Sequence, residues 1–348
     1  MRLSALRREL VSTLRGFAPK GWMRSEWDRR AREDAKRFIA CGTSETDEAF
    51  WDSGRRDLND RVLRDIELDA AARTLEIGCG MGRILRPMSE RVEKAFGVDI
   101  SAGMVAHARE ALQDRENVGV SVTDGTLSEF PDASLDFVYS YIVFQHIPSK
   151  RAVARYIREA ARVLKGSGVF RFQVDGRERP NREVPDTWLG VWYDAGELRA
   201  ELRRRRFHVA AVWGEGTHYL WMTARRKGGF GRPESQAVRV RRRRWNREAL
   251  EAALARMGHD ASQGARRILA GRWSLREASD KLLREGSNLD PETFVRRAYE
   301  VLLAREADVH GLAFYSKEIS AGIPRSNTVD CLLGSSELED RLRPLDAA

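Results

Sequence analysis

Cysteine is scarce here: Cys41, Cys79 and Cys331 are the only three in 348 residues. They fall in no paired spacing, which argues against a disulfide framework or a cysteine-based zinc site. No apolar run approaches the roughly 20 residues that a membrane-crossing helix needs. The N-terminal stretch sets Arg2, Arg7, Arg8 and Arg15 against Leu3, Leu6, Leu10, Leu14 and Phe17. This pattern is expected to form a basic amphipathic helix, and it lacks the continuous apolar core of a secretory signal. The cytoplasm is the expected compartment. A one-sided charge is also missing: 61 basic residues face 52 acidic ones, for a net charge of +9. An excess that small on so many charges reads as a general arginine bias before it reads as an anionic partner. The densest runs are Arg203 to Arg206 and Arg239 to Arg244, the second in a segment expected to be a solvated tether.

What is present centres on Thr74-Leu75-Glu76-Ile77-Gly78-Cys79-Gly80-Met81-Gly82-Arg83-Ile84. A short apolar strand ends near a carboxylate, a glycine-rich turn follows, and a helix begins. Alternate glycines let a backbone turn sharply and approach a ligand where a side chain would clash. The spacing departs from the dinucleotide pattern G-x-G-x-x-G, because its third glycine would fall on Arg83. Glu76 would repel a pyrophosphate and attract a cation.

Further strands are expected within Val92 to Ile100, at Val118 to Val122, Leu135 to Phe144 and Val169 to Val174. Helices are expected at Ala102 to Leu112 and Arg151 to Leu164, the second stopped by Lys165-Gly166-Ser167-Gly168. Such alternation gives a parallel, doubly wound sheet. Asp99 and Asp124 each sit at a strand end, where they serve either a ligand or a local cap.

These residues resemble a class I S-adenosylmethionine-dependent methyltransferase of the type 11 group. The resemblance rests on LEIGCGMGR, GVDIS, TDG, LDFVYSYIVFQHIP and EAARVLKGSGVFRF, and it covers about Trp27 to Lys227. It implies a Rossmann-like sheet of seven strands, with Phe207 to Trp213 and Tyr219 to Ala224 as the antiparallel pair that closes it. It also implies S-adenosylmethionine as cofactor. Gly78, Cys79, Gly80 and Gly82 would then carry the methionine part and Glu76 its amino group. Asp99 and Ile100 would meet the ribose, Asp124 and Gly125 the adenine, while Ser140 and Tyr141 would offer a backbone carbonyl. His146, past the fourth strand, is the candidate base for a hydroxyl acceptor, or it orders the following loop. Tyr141, Gln145 and Arg171 are further candidates at the mouth; His208 and His218 carry no clear signal. An exocyclic-amine nucleic-acid enzyme would show Asn or Asp-Pro-Pro-Tyr where this chain has Ser140-Tyr141-Ile142-Val143. A cytosine-C5 enzyme would need a cysteine beside proline.

Beyond Lys227 the apolar spacing becomes helical. Asp290-Pro291-Glu292 reads as a helix start, with Phe294, Val295, Ala298, Tyr299, Leu302 and Leu303 as one stripe. Asp308 and Ser326 are expected to cap two more helices, the first carrying Leu312, Phe314, Tyr315 and Ile319. This part resembles the DUF4214 helical domain through FVRRAYEVLLAREADVHGLAFYSKEISAG and LLGSSELEDRL. A weak repeat of Ala270-Gly271, Asp280 and Leu282-Leu283 marks Asn246 to Ser287 as a candidate degenerate first copy.

The expected organisation is an N-terminal helical extension (1–30), a methyltransferase domain (31–227), an arginine-rich linker (228–245) and an all-α module (246–342). The expected function is methyl transfer to a small-molecule, glycan or lipid acceptor. Nucleic acid is disfavoured, no metal is expected, and the C-terminal helices are candidates for protein contacts. The rival readings are a nucleic-acid methyltransferase and a non-catalytic scaffold that keeps the cofactor fold.

Overall fold

The computed structural model describes residues 19–39, 46–177, 187–188, 190–229, 231–270 and 272–345. The N-terminal amphipathic stretch, Cys41, Phe230 and Gly271 lie outside the described residues.

The chain opens with α1 (Pro19–Ile39), two helical pieces joined at Asp34, whose side chain accepts the Arg37 amide at 3.1 Å. Next come α2 (Asp47–Asp57), capped by Thr46, a wide helical turn at Leu58–Val62, and the short β1 (Ile66–Leu68). Then β2 (Arg73–Ile77), α3 (Leu85–Ser89), β3 (Lys94–Asp99), α4 (Ala102–Ala111), β4 (Val118–Val122) and β5 (Leu135–Ser140) alternate. After a 3-10 turn at Phe144–His146, α5 (Lys150–Val163) feeds directly into β6 (Leu164–Val174). The sheet is completed by α6 (Ala195–Arg204), β7 (Phe207–Trp213) and β8 (Leu220–Arg226).

Seven strands pair in the order β4-β3-β2-β5-β6-β8-β7, with β8 antiparallel to both of its neighbours. All six residues of β5 are buried, as suits a strand covered on both faces. Hydroxyl and carboxylate caps start the helices where the sequence offers them: Ser101 for α4, Ser149 for α5, Asp194 for α6. The strand order reverses between β2 and β5, so a crevice opens at their carboxyl ends.

Two expected boundaries move. The strand expected at Leu135 to Phe144 ends at Ser140, and Phe144 opens the 3-10 turn instead. Lys165 to Gly168 do not form a loop after α5; they lie inside β6, which already pairs at Leu135↔Leu164. The register slips between Leu135 and Phe137, and Ser167 adopts a φ of 58°, so the polar and glycine residues sit in a bulge rather than a stop.

The arginine-rich segment is not a solvated tether. β9 (Val238–Val240) pairs antiparallel with β1, and Arg243 donates to Asp65 at 2.7 Å with its side chain only 5% exposed. The helical module follows as α7 (Arg247–Arg256), α8 (Ala261–Leu269), α9 (Leu275–Ala278), α10 (Asp280–Glu285), α11 (Pro291–Ala298), α12 (Val309–Ser320), α13 (Arg325–Leu333) and α14 (Ser336–Leu342). Asp290 caps α11, and the stripe from Phe294 to Leu303 is buried as expected. Ser326 caps nothing: α13 starts at Arg325 after Pro324, and burial of Val329, Leu332 and Leu333 holds it instead. Phe314 on α12 is 57% exposed, so it does not share the stripe's burial.

Candidate functional site

The crevice at the switch point is a cavity of about 1190 Å³, open mouth included. Its floor comes from strand ends and the turns that follow them. Gly78 and Gly80 adopt φ of 78° and 54°, a left-handed backbone that side chains rarely take. A Cβ on Gly78 would stand 2.4 Å from Val143 Cγ2. The turn is also tied to β3, because Gly78 N–H donates to Val98 O at 2.7 Å and Gly80 N–H to Asp99 Oδ2 at 2.9 Å.

Three carboxylates line this one cavity. Glu76 is 3% exposed, and Tyr139, behind it on β5, donates its hydroxyl to Glu76 Oε2 at 3.2 Å. Burial pushes the Glu76 carboxyl up to about 8, against the opposing pull of Tyr139 and Arg83. Asp99 accepts the amides of Gly80 and Ser101, and burial raises its carboxyl despite them. Asp124 is exposed and folds its own turn by accepting Thr126 N–H at 3.1 Å and Thr126 Oγ1 at 2.6 Å. Capping and lining therefore coexist in Asp99 and Asp124.

Of the residues singled out in the sequence, Glu76, Gly78, Cys79, Gly80, Asp99, Ile100, Asp124, Gly125, Tyr141 and His146 line the cavity. Gly82 and Ser140 do not: a Cβ on Gly82 would meet Leu112, and Ser140 Oγ donates to Ile77 O at 2.9 Å inside the sheet. Arg171 is also elsewhere. It is buried in β6, donates to Arg61 O and Thr223 Oγ1, and stacks over Trp221.

Sequence reasoning passed over the roof. Met23, Trp27, Phe38 and Ile39 of α1 close the cavity from above, and Arg155 and Tyr156 of α5 form a side wall. Apolar spacing on α1 was the available signal, but nothing local says which cavity a helix covers. His146 stands between Trp27 and Trp188, with ring centroids at 5.8 and 5.3 Å. Its Nδ1 lies 2.8 Å from Trp188 O. A carbonyl can only accept, so Nδ1 carries a proton, and in the neutral ring Nε2 is then the acceptor.

Strand order, glycine turn and carboxylates at successive strand ends define a class I methyltransferase domain. Residues 75–172 match the family model described as a methyltransferase domain, and residues 277–342 match the domain of unknown function DUF4214. The chain thus carries a methyltransferase domain that is similar to the type 11 S-adenosylmethionine-dependent enzymes, and a DUF4214 module, each match covering part of its length. It is 34% identical over 135 residues to the aklanonic acid methyltransferase DauC of Streptomyces sp. (strain C5), covering 36% of this chain and 58% of that protein. It is 31% identical over 146 residues to the trans-aconitate 2-methyltransferase of Azoarcus sp. (strain BH72), covering 40% and 54%. Among solved structures it is similar to phosphoethanolamine N-methyltransferase 1 of Haemonchus contortus in complex with phosphoethanolamine and S-adenosylhomocysteine. That match has 15% identity and a TM-score of 0.47, covering 64% of this chain and 52% of that one. The chain spans about half the length of these curated relatives.

Proposed function

We propose that this protein transfers a methyl group from S-adenosylmethionine to a small-molecule, glycan or lipid acceptor. The observation that carries the reading is the meeting of Glu76, Asp99 and Asp124 in one roofed cavity above a left-handed glycine turn.

The residues fit the cofactor chemically. Glu76 is a buried carboxylate that desolvation drives toward its neutral form despite Tyr139 and Arg83, and the ligand's ammonium would supply the counter-charge that they do not fully provide. Asp99 keeps acceptor capacity beyond its two amides, which suits a vicinal diol. Asp124 stands at the mouth, where it can accept from an exocyclic amine. When bound, S-adenosylmethionine supplies an electrophilic methyl on a sulfonium. The chain's part is to position and to exclude water: Trp27, Phe38 and Ile39 roof the cavity, and Ile142 and Val143 narrow it. His146 is the residue assigned to remove a proton from a hydroxyl acceptor, since its Nε2 accepts.

A roofed, largely apolar cavity favours a small or thin acceptor over a folded nucleic acid. The names of the relatives, which act on aklanonic acid or trans-aconitate, support the same class. Calorimetric titration with S-adenosylmethionine and S-adenosylhomocysteine tests the reading. Micromolar-range binding by the wild type, lost in an Asp99→Ala protein that still melts cooperatively, is the expected result. No binding of either ligand by the folded wild type would overturn it.

A further inference from the structure

Beneath the cavity, two buried glutamines form a chain that ends on His146. Gln173 is fully buried on β6 and Gln145 is 5% exposed in the turn after β5. Ile142 N–H lies 3.2 Å from Gln173 Oε1. Gln173 Nε2 lies 2.7 Å from His218 O, 2.9 Å from Val174 O and 2.7 Å from Gln145 Oε1. Gln145 Nε2 then faces His146 Nε2 at 3.3 Å.

The orientation of an amide side chain is normally assigned from its surroundings. Here backbone groups settle it. A peptide N–H can only donate, so Gln173 turns its oxygen to Ile142. Two peptide carbonyls can only accept, so its nitrogen faces Val174 and His218. Its two N–H groups are shared among three acceptors, and because the amide nitrogen has no lone pair to offer, Gln145 presents oxygen to it and nitrogen to His146. A donor facing Nε2 requires the Nδ1–H tautomer, and the Trp188 carbonyl requires the same tautomer independently. Ile142 adds a second observation. It holds a φ of 54°, a genuine outlier for a β-branched residue, and its amide is the group that Gln173 grips.

We infer that Gln145 and Gln173 are positioning residues: together they hold His146 neutral as the Nδ1–H tautomer, with Nε2 as an acceptor in the cavity. The inference rests on the assignment of His146 as the proton acceptor of the proposed reaction. At 3.3 Å the Gln145 contact is long, so a substrate hydroxyl can replace it. Among the described residues, Arg30 on α1 donates to Thr187 and lies over Trp27 and Trp188 beside the imidazole, and Arg155, Arg83, Glu76, Asp99 and Asp124 share the cavity.

The test is long-range 1H–15N correlation of the histidine rings in the full chain, without ligand, with His146 identified by its loss in His146→Gln. The wild type is expected to show the Nδ1–H pattern at neutral pH. In Gln145→Glu a carboxylate replaces the donor, which favours the imidazolium, so the His146 titration midpoint should rise by about one unit or more. In Gln145→Leu the midpoint should stay within half that rise; the Trp188 carbonyl still holds Nδ1–H, and the Nε2 resonance should shift because its donor is lost. A wild-type Nε2–H pattern, or a midpoint unmoved in a folded Gln145→Glu protein, would overturn the inference. Should Gln145→Glu not fold, an unmoved Nε2 resonance in a folded Gln145→Leu protein overturns it instead. S-adenosylhomocysteine binding on the same samples keeps the two readings apart. Its absence in the wild type removes the methyltransferase reading and leaves the tautomer result standing.

Discussion

Glu76 should make cofactor binding depend on pH, and the size follows from its surroundings. The carboxyl is 3% exposed, and burial lifts it to about 8 against the help of Tyr139 and Arg83. With that midpoint, only about a tenth of the free protein carries the carboxylate at pH 7. An ammonium ligand selects that fraction, so binding at pH 7 should release close to one proton. The apparent affinity there should be about tenfold weaker than for a permanently ionised site, or about 1.4 kcal/mol, and about tenfold weaker again at pH 6. Calorimetry of S-adenosylhomocysteine in two buffers of different ionisation enthalpy counts the proton directly. Glu76→Gln should bind more weakly and without pH dependence. The sign for stability runs the opposite way. The folded, ligand-free protein holds this proton more tightly than the unfolded chain, so its stability should fall as pH rises from about 4.5 toward 8. Proton-neutral binding with a dissociation constant constant from pH 6 to 8 would refute the reasoning.

Other substitutions separate the site from the scaffold. Gly78→Ala places a methyl 2.4 Å from Val143 Cγ2 at a φ of 78°. It should cost about 1–3 kcal/mol from the backbone alone, visible in urea melts, and should remove S-adenosylhomocysteine binding. Asp330→Ala breaks a contact of 2.7 Å from Arg276 to a carboxylate that is 0% exposed. Arg276 keeps Asp280 and Arg177 keeps Asp175, so the loss is that of one charged hydrogen bond, and destabilisation of about 1–3 kcal/mol is expected in the same melts. Phe294→Ala in the buried stripe should cost about 3–5 kcal/mol. Phe314→Ala on the exposed face of α12 should stay within about 0.5 kcal/mol.

Local chemistry made much of this protein readable from its sequence. The glycine turn, the acidic strand ends and the Asp290-Pro291 helix start depend on neighbours along the chain, and their elements form where expected. Ser326 and the Lys165 to Gly168 stretch carry the same kinds of local signal and mislead, because burial of α13 and a bulge in β6 override them. The roof of the cavity was not legible for another reason. Trp27 and Phe38 are separated from Glu76 by dozens of residues, and an amphipathic helix does not name the surface it covers. Gln145 stood out only as a residue near the mouth, and Gln173 not at all. Their role exists only because β5 and β6 bring their amides together at 2.7 Å.

The two sequence families suggest two separable domains, yet the contacts between them are buried and charged. Arg64, from the turn before β1, donates to Glu339 at 2.9 Å and Asp340 at 2.7 Å with its own side chain 9% exposed. Arg61 donates to Gly334 O at 3.0 Å, and Arg343 returns the contact by donating to Val212 O of β7 at 2.8 Å. Trp213, the last residue of β7, packs into the core of the helical module. Contacts of this kind leave unpaired buried charge when one partner is removed, which ties the two halves energetically more than a surface ion pair would. The tie extends toward the site. Arg177 reaches Asn327 of α13 at 3.1 Å and also holds Asp175, which His218 Nδ1 approaches at 3.2 Å. The carbonyl of that same His218 receives the Gln173 amide. The module therefore helps to hold the residue that orients the glutamine chain beneath His146, which gives the helices a structural part in the site without lining it.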